Sequence, residues 1–288
     1  MQIEKIKEHI GGLVHVDKAD ICSDDVVAQL REALEERGVL VFPKINLTDE
    51  EQIAFTEKFG ERVKFTGTVP GGEGDGNNVY KITLDEEINT EPDYVLGTFF
   101  WHMDGVTIDQ PLPKATFLSS RATSAEGGET EFCSTYAGYE TLSDEMKAKI
   151  EGLQVIHRVE AAVRPIYREQ SAERLERYRS MADFMVQPLV WQHPSGRKSL
   201  ILGTHADEIV GMTIPEGRSL LARLMEWTAQ PDFSYSHKWS VGDFVMWDNH
   251  GAMHRVVPYD KKSGRMMHRT TIFGKEKPGM KLKEFEAA

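Results

Sequence analysis

His102 and Asp104 stand two residues apart in Trp101-His102-Met103-Asp104-Gly105, and a third metal-ligand candidate, His254, follows 150 residues after Asp104. On a strand, residues i and i+2 project to the same side, so an imidazole nitrogen and a carboxylate oxygen can reach one ion from one edge. A fold that uses all three residues must bring the chain back to residue 102 after a long excursion. Alone, His-x-Asp is a weak signal, because a histidine near a strand is as readily a satisfied core residue.

The segment Arg265-Met266-Met267-His268-Arg269-Thr270-Thr271-Ile272 strengthens it, with arginines 11 and 15 residues after His254. If this is a strand, a separation of four keeps Arg265 and Arg269 on one face, toward the metal. Two guanidiniums on an inward face are expensive to desolvate without anions. A metal-bound dicarboxylate, together with an anionic substrate, would supply them. Two histidines and one carboxylate form one face of an octahedron and leave three positions exchangeable, the arrangement of non-haem Fe(II) oxygenases. His250, in Trp247-Asp248-Asn249-His250, is a competing ligand, and the arginine spacing favours His254. His9, His15, His157 and His193 lack such a context and read as surface or structural residues.

Bulk properties bound the remaining classes. The 288 residues carry a formal charge of −12 with no Lys/Arg stripe interleaved with aromatics, so nucleic acid is not an expected partner. A small anionic substrate stays compatible with that charge, since a few buried arginines dominate a pocket. No apolar run approaches the length of a membrane span, and residues 1–7 lack the form of a secretory signal. The expectation is a soluble, cytoplasmic protein. Cys22 and Cys133 are the only cysteines, so a metal site must come from histidines and carboxylates.

Local patterns predict a helix over 24–37 stopped by Gly38, a buried strand Val39-Leu40-Val41-Phe42, and a second helix opened by the capping box Thr48-Asp49-Glu50-Glu51, with Ile53, Phe55 and Phe59 inward. Residues 98–121 read as strands around turns at Gly105, Pro111 and Pro113. The glycine-rich stretch 71–78 fits no nucleotide motif and reads as a surface loop or a mobile loop at a site entrance. Charged residues 168–179 suggest a helical insertion near 166–186, either a solvated face or a lid. Thr213-Ile214-Pro215-Glu216 opens an amphipathic helix with Leu220, Leu221, Leu224 and Trp227 as its apolar stripe. Late strands over 239–247 and 269–273 flank a turn carrying His254. Without repeats or a linker, residues 1–288 read as one domain.

The ordered set of Trp-His-x-Asp at 101–104, Gly-Gly-x-Thr at 127–130, Trp-Asp-Asn at 247–249 and the terminal arginine segment resembles the taurine dioxygenase/TfdA family of Fe(II)- and 2-oxoglutarate-dependent oxygenases. The resemblance spans nearly the whole chain and implies a mainly β fold, a double-stranded β-helix or jelly-roll with flanking helices. It implies Fe(II) on His102, Asp104 and His254, with 2-oxoglutarate and O2 as cosubstrates. Thr130 and Arg265 would hold the distal carboxylate of 2-oxoglutarate. Arg269 would lie nearer the metal, against the other carboxylate or an acidic substrate. The bland readings are a β-turn residue for Thr130 and surface ion pairs for the arginines.

His250 departs from the family, where Arg often follows Trp-Asp-Asn. The implied reaction decarboxylates 2-oxoglutarate to succinate and CO2 and hydroxylates the substrate, with cleavage where the new hydroxyl shares its carbon with a heteroatom group. Asp104 argues against the halogenating variant, which carries a small residue there. Thr98, Phe99 or Phe100 and His205 are candidates to line the substrate pocket, with core packing or loop capping as the alternative. A small carboxylate, sulfonate, sulfate ester or aryloxy acid is the expected substrate class. A metal-dependent non-oxygenase and a non-catalytic jelly-roll binding protein are the competing functions. Exposed insertions could support a homodimer or homotetramer.

Overall fold

A computed structural model describes residues 1–66, 74–89, 95–166, 171–181 and 184–288. Its frame is a seven-stranded sheet, in the order Gln2–Lys5, Gly12–His15, Val39–Phe42, Phe244–Asp248, Ala115–Ala122, Met266–Ile272 and Tyr80–Ile82. A three-stranded sheet, Ser234–His237, Thr130–Ser134 and Ala252–Val256, forms the other wall. The two sheets make a jelly-roll, and sheets of four and two strands extend it.

The chain packs both faces of the large sheet, which explains its unbroken apolar strands. Leu40, Phe42, Phe117, Phe244 and Met246 point out of the roll and meet Leu30, Leu34, Phe55 and Phe59 from two helices, Asp24–Arg37 and Asp49–Phe59. Their neighbours Val39, Val41, Leu118, Val245, Trp247 and Met267 point inward and pack with Phe132 of the small sheet. This alternation places Thr116 of one strand and Arg269 of the next in the interior row, where both reach Asp104.

Both early helices have the expected ends. Gly38 takes φ +69° and caps the first, and Thr48 and Glu51 form the capping box of the second. Ile53 is only half-buried; Gln52 is the fully buried residue of that turn, donating to the His268 carbonyl at 3.0 Å and accepting from Ser119 at 2.6 Å. In the helix Ile214–Thr228 the leucines are buried, but Trp227 is exposed at the stripe's end, with its indole donating to the Gly138 carbonyl.

Two expectations about the site segments need correction. His102 lies in an isolated bridge to His254, not in a strand, and Asp104 begins a turn completed by Gly105 at φ +82°. His254 lies within a strand, Ala252–Val256, and the turn is made by the residues before it. Of the proposed insertion, the structure describes helix Ala172–Met181, while 167–170 and 182–183 lie outside the described residues and Met185–Pro188 is already a strand. Residues 71–73 of the glycine-rich stretch also lie outside them. Its remainder is held by Arg62, whose guanidinium donates to the carbonyls of Gly76, Asn77 and Asn78. Among the described residues, no helix is long and apolar enough to cross a membrane.

Candidate active site

The bridge between residues 102 and 254 brings the first and third ligand candidates together. His102 N–H donates to the His254 carbonyl at 3.1 Å, the reverse bond is 3.0 Å, and the two rings lie 4.1 Å apart. Asp104 completes a set whose three ligand atoms fall within 4.8 Å of one another.

Each member is held for ligation. His102 Nδ1 donates to the Phe100 carbonyl at 2.8 Å, which leaves the Nε2 lone pair free for a metal. On Asp104, Thr116 Oγ1 donates to Oδ2 at 3.0 Å and Arg269 Nη2 donates to the same oxygen at 2.6 Å, so Oδ1 is the free oxygen. Asn249 donates to Thr116 Oγ1 in turn, at 2.9 Å. The His254 ring packs against Trp247 at 4.6 Å and keeps a buried nitrogen, Nδ1, without a partner among the described residues.

Electrostatics fix the protonation states that ligation needs. Burial drives the pKa of both histidines down, that of His254 well below the usual value, so both are neutral donors. Burial alone would raise Asp104, but the Arg269 guanidinium, with the Thr116 hydroxyl donating to the same carboxylate, holds the carboxyl at about 2. Two neutral imidazoles and one carboxylate suit an octahedral Fe(II) with open positions.

Arg265 stands one residue before the strand Met266–Ile272. It is 2% exposed, its Nε donates to the Gly128 carbonyl at 3.1 Å, and its charge lies over the Tyr259 ring at 4.9 Å. Nη2 has no partner among the described residues, and burial lowers the pKa of the group. Gly128 is required here: its φ is +81°, and a Cβ would sit 3.0 Å from Arg265 Cδ and Nε. Thr130 Oγ1 accepts from Trp239 Nε1 at 2.9 Å, which leaves its own hydroxyl hydrogen to donate. Trp239 and Arg265 line one small cavity with Gly127, Gly128 and Glu129.

The substrate-pocket candidates divide. His205 is electrostatically coupled to His102 and Asp104, burial pushes it down to about 3, and its Nδ1 has no partner among the described residues. Gly203, two residues earlier, lies against His102 so closely that a Cβ would stand 3.1 Å from its Cα. The Thr98 hydroxyl donates to the Val95 carbonyl at 2.7 Å, within its own turn. Phe99 packs on Tyr259 at 5.7 Å, and Phe100 contributes the carbonyl that orients His102. Sequence reasoning missed Thr116, Trp239 and Tyr259, which carry no motif of their own. Asn249 was legible only as part of Trp-Asp-Asn.

Known proteins resemble the chain over most of its length. The chain is 31% identical over 278 residues to the alpha-ketoglutarate-dependent 2,4-dichlorophenoxyacetate dioxygenase of Cupriavidus pinatubonensis, covering 90% of this chain and 93% of that protein. It is 32% identical to the (S)-phenoxypropionate/alpha-ketoglutarate-dioxygenase of Sphingobium herbicidovorans, covering 85% of each. The solved structure of AAD-2 in complex with Mn(II) and N-oxalylglycine superposes with a TM-score of 0.79 at 33% identity, covering 96% of this chain and 98% of that one. The model of the taurine catabolism dioxygenase TauD, TfdA family matches residues 2–271, and the chain belongs to that family of Fe(II)- and 2-oxoglutarate-dependent dioxygenases.

Proposed function

We propose that His102, Asp104 and His254 hold the iron, that Arg265 and Thr130 take the distal carboxylate of 2-oxoglutarate, and that the enzyme hydroxylates a small organic anion. The observation that carries this reading is the buried guanidinium of Arg265, whose Nη2 has no partner among the described residues. A desolvated cation with a free donor is costly unless an anion completes it, and a carboxylate does so with charge-assisted bonds. Thr130, whose hydroxyl hydrogen is uncommitted, is a second donor suited to the same group.

Bound iron with 2-oxoglutarate supplies oxygen-dependent oxidation with release of succinate and CO2. The chain's own residues supply position and charge. Thr116 and Arg269 hold Asp104 by one oxygen, so the carboxylate presents the other in a fixed direction. Arg269, half-buried over the Phe65 ring at 5.5 Å, is the cation available to a substrate acid group beside the iron. The two relatives named above act on aryloxy acids, and an aryloxy carboxylate is the leading substrate class, with sulfonates and sulfate esters sharing the same anionic chemistry. Hydroxylation at the carbon bearing the ether oxygen would give a hemiacetal that collapses to a phenol and a 2-oxo acid.

The test is a screen of aryloxy acids, small carboxylates, sulfonates and sulfate esters for substrate-stimulated succinate release under air. Anaerobic Fe(II) plus 2-oxoglutarate should first give a weak visible charge-transfer band. Absence of both the band and oxygen-dependent succinate overturns the assignment of the site residues. A band without stimulation by any tested anion overturns the substrate class alone.

A further inference from the structure

A second cluster of potential metal ligands, sharing no residue with His102, Asp104 and His254, joins His193, His250 and Glu276, whose ligand atoms lie within 4.8 Å of one another. The outer ring nitrogens reveal the tautomers. Ser199 Oγ donates to the His250 carbonyl at 2.9 Å, so toward His193 Nε2, at 2.8 Å, it acts as acceptor. His250 Nε2 faces the Leu112 carbonyl at 3.4 Å, which can only accept. Both Nε2 atoms therefore carry the hydrogen, and both Nδ1 atoms present lone pairs.

Those lone pairs meet a carboxylate. His193 Nδ1 is 3.2 Å from Glu276 Oε2, and His250 Nδ1 is 3.3 Å from Oε1. His250 is 1% exposed, and its Nδ1 has no hydrogen-bond partner among the described residues. Acceptors facing acceptors at this range repel unless a cation lies between them. The charged groups around Glu276 are Lys114, Asp248 and Glu35, and Lys114 already pairs with both of the others at 3.0 and 2.9 Å. Lys114 is therefore hydrogen-bonded to Asp248 and Glu35 and not to Glu276. Neighbouring donors around a tetrahedral Zn(II) stand roughly 3.3 Å apart, close to the 3.2 Å between His193 Nδ1 and the Glu276 carboxylate.

We propose that His193, His250 and Glu276 bind a structural divalent cation of the Zn(II) class, with water as the fourth ligand on the open side of Glu276. The ion would clip together three distant segments: the chain after strand Val190–Gln192, the turn before strand Ala252–Val256, and the chain after strand Met266–Ile272. It is independent of the oxygenase reading, because the site shares no ligand with the iron set.

The test counts Zn(II) bound to the chelator-stripped full chain, with the iron set removed separately by His102→Ala. Wild type should take up two equivalents, His102→Ala one, and the double variant His102→Ala/Glu276→Gln none. Zn(II) should raise the melting temperature of His102→Ala but not of the double variant. Glu276→Gln alone should retain the anaerobic iron/2-oxoglutarate band, which shows that its fold and its iron site are intact. A wild-type stoichiometry of one, or uptake by Glu276→Gln equal to wild type, overturns the proposal; loss of the band in wild type instead strikes the iron assignment.

Discussion

Arg265→Ala separates a cosubstrate-binding arginine from a structural one. Among the described residues, Arg265 makes one hydrogen bond to Gly128 and one cation–π contact to Tyr259, while a buried Nη2 goes unpaired. Truncation removes the bond, worth about 1 kcal/mol, and relieves the unpaired donor, worth about 1–3 kcal/mol. With lost packing included, the two nearly cancel, so the denaturation midpoint of the free protein should barely move. Affinity for 2-oxoglutarate behaves differently, because the cosubstrate's carboxylate loses its buried partner. That loss costs about 2–5 kcal/mol, or roughly 30- to 4,000-fold in Kd. Anaerobic titration of the charge-transfer band gives Kd, and urea unfolding without cosubstrate gives stability. Arg265→Lys should recover part of the affinity, since it restores the charge but not the planar fork. An unchanged Kd, or a stability loss in the free protein as large as the affinity loss, would refute the argument.

Asp104→Ala should abolish iron-supported succinate formation while leaving the fold intact by circular dichroism. Thr116→Val removes one of two donors to Asp104 Oδ2, and iron affinity measured by chelator competition should fall about 10- to 100-fold; an unchanged affinity would show that Arg269 alone orients the carboxylate. Gly128→Ala should weaken 2-oxoglutarate binding by pushing Arg265 off its position, with little effect on iron uptake. Acid should destabilise the metal-free protein. His157, His193 and His250 have folded pKa values of about 3, 4 and 3, below the unfolded value, so the unfolded chain binds more protons as pH falls through about 6.5. Near pH 5.5 the three together remove about 4 kcal/mol relative to neutral pH, measurable as a drop in urea midpoint. Asp104 acts in the same direction only lower, between its unfolded value and about 2.

The helices and the strand before residue 60 were legible because their signals are local: the Thr48–Glu51 capping box and Gly38 set their own ends whatever surrounds them. The clustering of His102, Asp104 and His254 was legible through the order of the motifs, although its local conformation was not. A strand through His102 and Asp104 is the simplest way to put i and i+2 on one side, but a two-residue bridge followed by a turn at Gly105 does the same. Trp227 read as core from its spacing, yet the helix runs past the edge of what it packs on. Thr116 was invisible for a different reason. A threonine in a strand is ordinary, and its value depends on Asp104 and Asn249 arriving from 12 residues before and 133 residues after it.

His193 shows the same limit most sharply. In sequence it has no motif, and its reading as a structural histidine rests on that absence. Its partners come from the turn at 250 and the chain at 276, so only the folded register can expose the opposed lone pairs. The register also links the two clusters. Within seven residues the chain sends Asp248 to Lys114, Asn249 to Thr116 behind Asp104, His250 to Glu276, and His254 to the iron set. The Asp248 carboxylate further fixes this turn by accepting from the His250 backbone N–H at 3.0 Å. An ion that immobilised His250 would therefore restrain Asn249, and through Thr116 the orientation of Asp104. On this reasoning, removing the second metal should loosen iron binding in the wild type and leave it unaffected in Thr116→Val, where the connecting hydroxyl is gone.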